Sequence, residues 1–310
     1  MRRSSLLLTA PHTLTWVEDT LPSPQPHDIV VQSRAGAISL GTELPLYGGT
    51  HRGTEPVHYP KMTGYESVAN VIATGSAVQR VAPGDRVVAF YGHRTHAVLA
   101  EHSVILIPAD VTDAQALLVI LACDTAKGVA KMHVEPHEPV LITGAGAIGL
   151  LTLFNLKARG IHNVDVIEPN ERRRALAQRW GVRHALAPAD AATYSSDYTA
   201  GFECSSRNEA FFLLQQHLAP GGRLCVLADG NVEPLVLAPA FHEKELQVVG
   251  SSDGENYQDY ARWFFQQLRA GWTRLEQLFD RETPAQELPQ VFEQLARLSA
   301  RPIKVLVRYD

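Results

Sequence analysis

Cysteine is scarce in this chain. Only Cys123, Cys204 and Cys225 occur in 310 residues, widely separated and with no CxxC pair. That argues against a disulfide framework and a cysteine-rich zinc lobe, and it fits a reducing cytoplasm. Long apolar runs are missing as well. No stretch approaches the ~18 residues of a membrane span. The N-terminal MRRSSLLLTAPH has an apolar run of about five residues before Pro11, where a secretory signal needs roughly 7–15. Basic blocks are short: none exceeds Arg172-Arg173-Arg174, and the net charge is −5. A nucleic-acid partner or an anionic membrane surface is therefore not expected. Internal repeats and low-complexity tracts are absent. What remains is 45% hydrophobic residues, enough for a large core and for two domains.

The texture of the chain changes once. Up to about residue 110 it is rich in proline, glycine and short β-branched runs such as HDIVVQSRAGAI, SVANVIATG and DRVVAFYG. This pattern predicts short strands in a barrel or sandwich. DAQALLVILACDTAKGVAKMHV then has helical spacing, with Thr112 or Asp113 as N-cap, and Asp124 reads as a second helix cap or as an acid. Beyond it strands alternate with helices, as in PVLITGAGAIGLLTLFNLKARG and NVDVIEPNERRRALAQRWG, down to a last strand at LQVVGSS. Such alternation predicts a doubly wound parallel sheet. The tail contributes two amphipathic helices and a final strand, IKVLVRY.

The segment VLITGAGAIGLL sets Gly144, Gly146 and Gly149 in GxGxxG spacing after an apolar strand and at a helix start, the context a dinucleotide fingerprint requires. Gly144 permits the turn, Gly146 lets the backbone approach a pyrophosphate, and Gly149 lets the helix pack closely. The intervening Ala145, Ala147 and Ile148 bring their N–H groups to the same anion. Glu168 ends the next strand about 20 residues on, where a carboxylate binds adenosine ribose and repels a 2′-phosphate. NAD is therefore expected over NADP; Arg172 and Arg173 pull the other way, and Arg173 is counted among the cofactor contacts.

The segments GAISLGTE (36–43), TGYESVANVIATG (63–75), VAPGDRVV (81–88), TAKGVAK (125–131) and GAGAIG resemble those of the medium-chain dehydrogenase/reductase superfamily over almost the full chain. The resemblance implies a fold of the α/β plus β class: a GroES-like β-barrel catalytic domain (1–122), a Rossmann doubly wound parallel-sheet domain (123–252) and a C-terminal segment (253–310) that completes the first. It implies a substrate cleft between the domains and a homodimer joined through Rossmann edge strands near RLCVLADG. Further cofactor contacts carried over from the superfamily are Thr125, Cys204, Ser205, Asp229, Gly230 and Ser251.

Zinc-dependent members hold a catalytic metal at three positions that fall here on Leu40, Tyr65 and Leu121. Two leucines and a phenol are not zinc ligands. The chain thus resembles a zinc-lacking branch, with distant similarity to bacteriochlorophyllide hydroxyethyl dehydrogenases. Without a Lewis acid, a protein group must stabilise the oxygen charge as hydride moves. Tyr65 is the first candidate and Thr42 the second, with Asp124 and Lys127 flanking the helix near the nicotinamide. Tyr65 also reads as filler, its hydroxyl tied to Glu66 or to backbone, and Lys127 as a solvated helix residue. His93 and His96 lie in the stretch that lines the superfamily's substrate cleft. The expected activity is zinc-independent hydride transfer between NAD(H) and a small alcohol or ketone. The alternatives are a quinone or enoyl reductase and a non-catalytic dinucleotide sensor.

Overall fold

Strand-forming stretches separated by turn residues produce eight strands before residue 110. They are β1 (Arg2–Ala10), β2 (Thr13–Thr20), β3 (Asp28–Ile38), β4 (Lys61–Met62), β5 (Glu66–Thr74), β6 (Arg86–Ala89), β7 (His96–Ala100) and β8 (Ile105–Leu106), with helix α1 (Leu40–Tyr47) after β3. The computed structural model describes residues 1–50, 56–191, 193, 197–228, 233–299 and 301–309. The N-terminal apolar run is a strand: β1 pairs antiparallel with β2, and its Leu6 and Leu8 are fully buried. Helix α2 (Asp113–Leu117) is capped by Thr112, whose hydroxyl accepts from the Gln115 N–H while the Gln115 side chain returns to the Thr112 N–H. Helix α3 (Val119–Lys131) follows almost at once.

Alternation then sets in: β9 (Val140–Thr143), α4 (Ala147–Lys157), β10 (Val164–Ile167), α5 (Glu171–Arg179), β11 (Ala185–Leu186), α6 (Pro188–Ala191), β12 (Tyr198–Glu203), α7 (Asn208–His217), β13 (Leu218–Val226), α8 (Pro239–Glu243) and β14 (Gln247–Gly250). The tail supplies α9 (Tyr257–Arg269), β15 (Phe279–Pro284), α10 (Leu288–Arg297) and β16 (Lys304–Arg308).

Two compact units divide the chain, one of residues 1–119 with 257–310 and one of residues 120–256. In the first, a seven-stranded sheet runs β15-β16-β3-β5-β6-β8 with β7 paired to β3, beside a three-stranded sheet β2-β1-β4. This is a GroES-like β-rich unit. Strand β16 pairs antiparallel with β3, so the returning tail becomes part of the main sheet. Helix α10 buries Leu288, Val291, Phe292 and Leu295, the i, i+3, i+4, i+7 stripe of an amphipathic helix, against Leu6, Leu8, Val305 and Val307. Each such side chain contributes roughly 1.5–3 kcal/mol on burial.

In the second unit all six strands are parallel in the order β11-β10-β9-β12-β13-β14. Strand order reverses between β9 and β12, and the carboxyl ends at that switch point form the ligand crevice of a Rossmann sheet. RLCV belongs to β13, an interior strand; the exposed edge is β14, with Val248 and Gln247 turned to solvent. The edge expected near RLCVLADG therefore lies one strand further along.

Candidate functional site

Each unit holds a polar centre that bears on function. In the Rossmann unit, β9 runs straight into the glycine turn. Gly144 adopts φ +93°, and a Cβ there would lie 3.1 Å from the Cys204 carbonyl oxygen. A Cβ on Gly149 would stand 1.9 Å from the Gly144 carbonyl oxygen, so α4 seats directly on the turn only because residue 149 has no side chain. Around Gly146 the space is open, and a Cβ there would meet only Arg173 Nη1, at 3.9 Å. Gly146 is the N-cap of α4. The first-turn N–H groups of Ala147, Ile148 and Gly149 lack partners within the helix and face outward at its positive end. An open cradle, free N–H groups and a nearby guanidinium fit a pyrophosphate.

Glu168 follows β10 and is 3% exposed. Its Oε2 accepts from the Ala145 N–H at 2.7 Å, so that N–H serves Glu168 and not the expected anion, and its Oε1 accepts from the Asn170 N–H at 2.8 Å. The carboxylate thus braces the glycine turn while keeping lone pairs for a ribose. Ser205 lies against Gly144 and donates its hydroxyl to the fully buried Glu203, whose carboxyl is pushed up by burial. The Ser251 hydroxyl at the end of β14 is buried with no partner among the described residues, as a group awaiting a ligand would be.

Other expected contacts are occupied elsewhere. Thr125 is fully buried; its hydroxyl donates to the Ala122 carbonyl and accepts from Asn155, tying α3 to α4. The Cys204 thiol turns toward Thr152, and burial raises it well above its ordinary range. Asp229 and Gly230 lie outside the described residues. Asp124 sits inside α3, five residues after its first residue Val119, so it caps no helix. The apolar VILAC run extends the helix upstream of it. Its carboxylate instead accepts from the Gly254 N–H at 2.7 Å, and Lys127 pairs with Glu255 at 2.8 Å. Lys127 is therefore engaged with a neighbouring segment of its own unit. Burial lifts the Cys123 thiol to about 12.

The second centre lies in the β-rich unit. Ser39 stands at the N-cap of α1, where a serine hydroxyl ordinarily accepts a first-turn N–H. Here it makes no capping bond; it accepts the Tyr65 hydroxyl at 2.7 Å, and the Thr42 side chain lies near the phenol. Burial first, then the Glu66 charge, holds the Tyr65 phenol well above its ordinary value. The expected tie to Glu66 or backbone gives way to this hydroxyl pair, while Glu66 Oε2 stands 2.5 Å from Lys304 Nζ, both side chains almost fully buried.

One further pair escaped the sequence reading. Glu43 and His93, 2% and 1% exposed, approach at 3.1 Å through Oε2 and Nε2, and Glu43 Oε1 accepts from the Ser39 N–H at 2.8 Å. The sequence placed His93 in the cleft-lining stretch but carried no sign that it meets Glu43. Leu40 and Leu121 offer no donor, and among the described residues no group of three His, Cys, Asp or Glu could hold a metal ion. These residues do not fit a tetrahedral zinc.

Comparison with known proteins bears on the fold of both units. An alcohol dehydrogenase GroES-like domain model matches residues 25–106, and a zinc-binding dehydrogenase model matches residues 147–268. The L-threonine 3-dehydrogenase of Chelativorans sp. strain BNC1 is 27% identical over 262 residues, 72% of this chain and 76% of the relative. A protein from Sinorhizobium meliloti solved with bound NADP superposes with TM-score 0.83 at 20% identity, covering 99% of each chain. An alcohol dehydrogenase from Escherichia coli CFT073 solved with NADH gives 0.84 at 20% identity, also over 99% of each chain. The two family models and the relative are those of dehydrogenases, and the superpositions show that this chain shares the fold of the two solved structures. Among the described residues no helix is long and apolar enough to cross a membrane.

Proposed function

We propose that the protein is a zinc-independent oxidoreductase that transfers hydride between NAD(H) and a small alcohol/ketone pair, with Tyr65 as proton donor. The observation that carries this reading is the Tyr65 phenol, hydrogen-bonded to Ser39, at a position the resemblance assigns to a metal ligand. Bound nicotinamide supplies or takes the hydride. In the reducing direction the carbonyl carbon gains that hydride and its oxygen gains the Tyr65 proton; a solvent proton restores the phenol. One ketone, one NADH and one proton thus give one alcohol and one NAD. Burial and the Glu66 charge keep the Tyr65 phenol protonated, so it enters the reducing direction carrying its proton. Thr42 orients the phenol.

The carboxylate of Glu168 supports NAD over NADP. Fluorescence titration with NADH and NADPH tests this, and equal affinities would remove it. Hydride transfer is read as NADH oxidation with acetone, 2-butanone and cyclohexanone, and as NAD reduction with secondary alcohols and with L-threonine, the substrate in the relative's name. One zinc per purified chain by metal analysis would overturn the metal-free reading. The free edge of β14 with its exposed Val248 supports a homodimer formed by strand pairing, and light scattering at monomer mass would exclude it. Three buried free thiols support a reducing, cytoplasmic setting, which cell fractionation checks.

A further inference from the structure

His93 meets the Tyr65–Ser39 pair along two separate paths. The first runs through Glu43. His93 Nε2 and Glu43 Oε2 share a hydrogen bond, and the other carboxylate oxygen takes the Ser39 N–H. The second path is direct packing. Gly64, the residue before Tyr65, has φ +77°, and a Cβ there would fall 2.7 Å from His93 Cδ2. The imidazole occupies the space a side chain at 64 would fill, and so sets the peptide that carries Tyr65. The ring is itself held on every side. Its backbone N–H donates to the Thr63 carbonyl and its carbonyl accepts from Leu6; Nδ1 faces the Tyr309 hydroxyl at 3.4 Å; Phe292 packs edge-on at 6.3 Å.

We propose that His93 is a positioning residue: through Glu43 and Gly64 it fixes the Ser39 acceptor and the Tyr65 donor in mutual register. The link rests on the proposed role of Tyr65 for its effect on turnover, but not for its effect on structure. A donor displaced by an ångström costs on the order of 100-fold in rate.

The test compares two substitutions in the full chain. His93→Phe keeps the ring beneath Gly64 and removes the bond to Glu43; His93→Gln keeps an N–H where Nε2 stood. Expected for His93→Phe is faster hydrogen exchange of the Ser39 amide, together with a roughly 100-fold lower kcat for cyclohexanone reduction and a KM for NADH within about twofold of the parent. His93→Gln is expected to restore Ser39 protection and most of kcat. Unchanged Ser39 exchange in His93→Phe overturns the proposal. If His93→Phe does not fold, His93→Gln decides alone, and fast Ser39 exchange in that variant overturns the proposal as well. Tyr65→Phe measured in parallel separates the two readings. Unchanged turnover there removes the role of Tyr65, while Ser39 exchange still reports on the His93–Glu43–Ser39 link.

Discussion

The two polar centres are built from different material. The nucleotide cradle is made of backbone: a turn, a helix start and glycines whose missing side chains leave room. The Tyr65 centre is made of side chains brought together from α1, β5, the stretch before β7 and the last strand. A backbone site tolerates many neighbours but no Cβ in the wrong place. A side-chain site tolerates many backbones but depends on every buried charge finding its partner.

Substitutions can break this contrast, and the largest effect is expected in the cradle. Gly149→Val drives a side chain into the Gly144 carbonyl oxygen, where even a Cβ would stand 1.9 Å away. NADH fluorescence titration should show binding lost altogether. Next comes Lys304→Met, which removes the ammonium facing the buried Glu66 carboxylate. Denaturant unfolding should report a loss of about 3–5 kcal/mol, and adding Glu66→Leu should recover much of it. Tyr65→Phe should lower kcat at least about 100-fold, close to 3 kcal/mol, with NADH affinity unchanged. A drop of only a few-fold would make the phenol filler. Glu168→Ala should shift the NADPH/NADH affinity ratio toward NADPH by about tenfold, near 1.4 kcal/mol. Both affinities should also fall somewhat, since the carboxylate braces the turn.

The mildest effect is electrostatic. Arg223 holds the Glu138 carboxyl at about 2, below its ordinary 4.5. A depressed folded value means that this stabilisation is complete above 4.5 and fades as pH falls toward about 2. Arg223→Met should flatten that part of the acid-unfolding curve.

The same contrast explains what could be read from the amino-acid order. Gly144, Gly146, Gly149 and Glu168 stand close together in sequence, and the chemistry of a turn between strand and helix is local. A cap at Thr112 or Asp113 was legible for the same reason, and the structure has it at Thr112. By contrast, Glu66 meets Lys304 across 238 residues, and Glu43 meets His93 across 50. No local pattern announces such pairs. Asp124 was misread because an N-cap was sought beside a polar residue, while α3 had already begun at Val119 among apolar ones. Thr125 and Cys204 lie on the expected elements, but their side chains turn inward, a choice made by packing against α4.

Strand β16, described above as the partner of β3, also imposes an order of events. During synthesis the Rossmann unit is contiguous and can fold once residue 256 has left the ribosome. The β-rich unit must wait for residues 304–308 to emerge before its main sheet closes. Until then Glu66 has no ammonium to meet, and the nascent chain carries a half-finished barrel beside a completed neighbour.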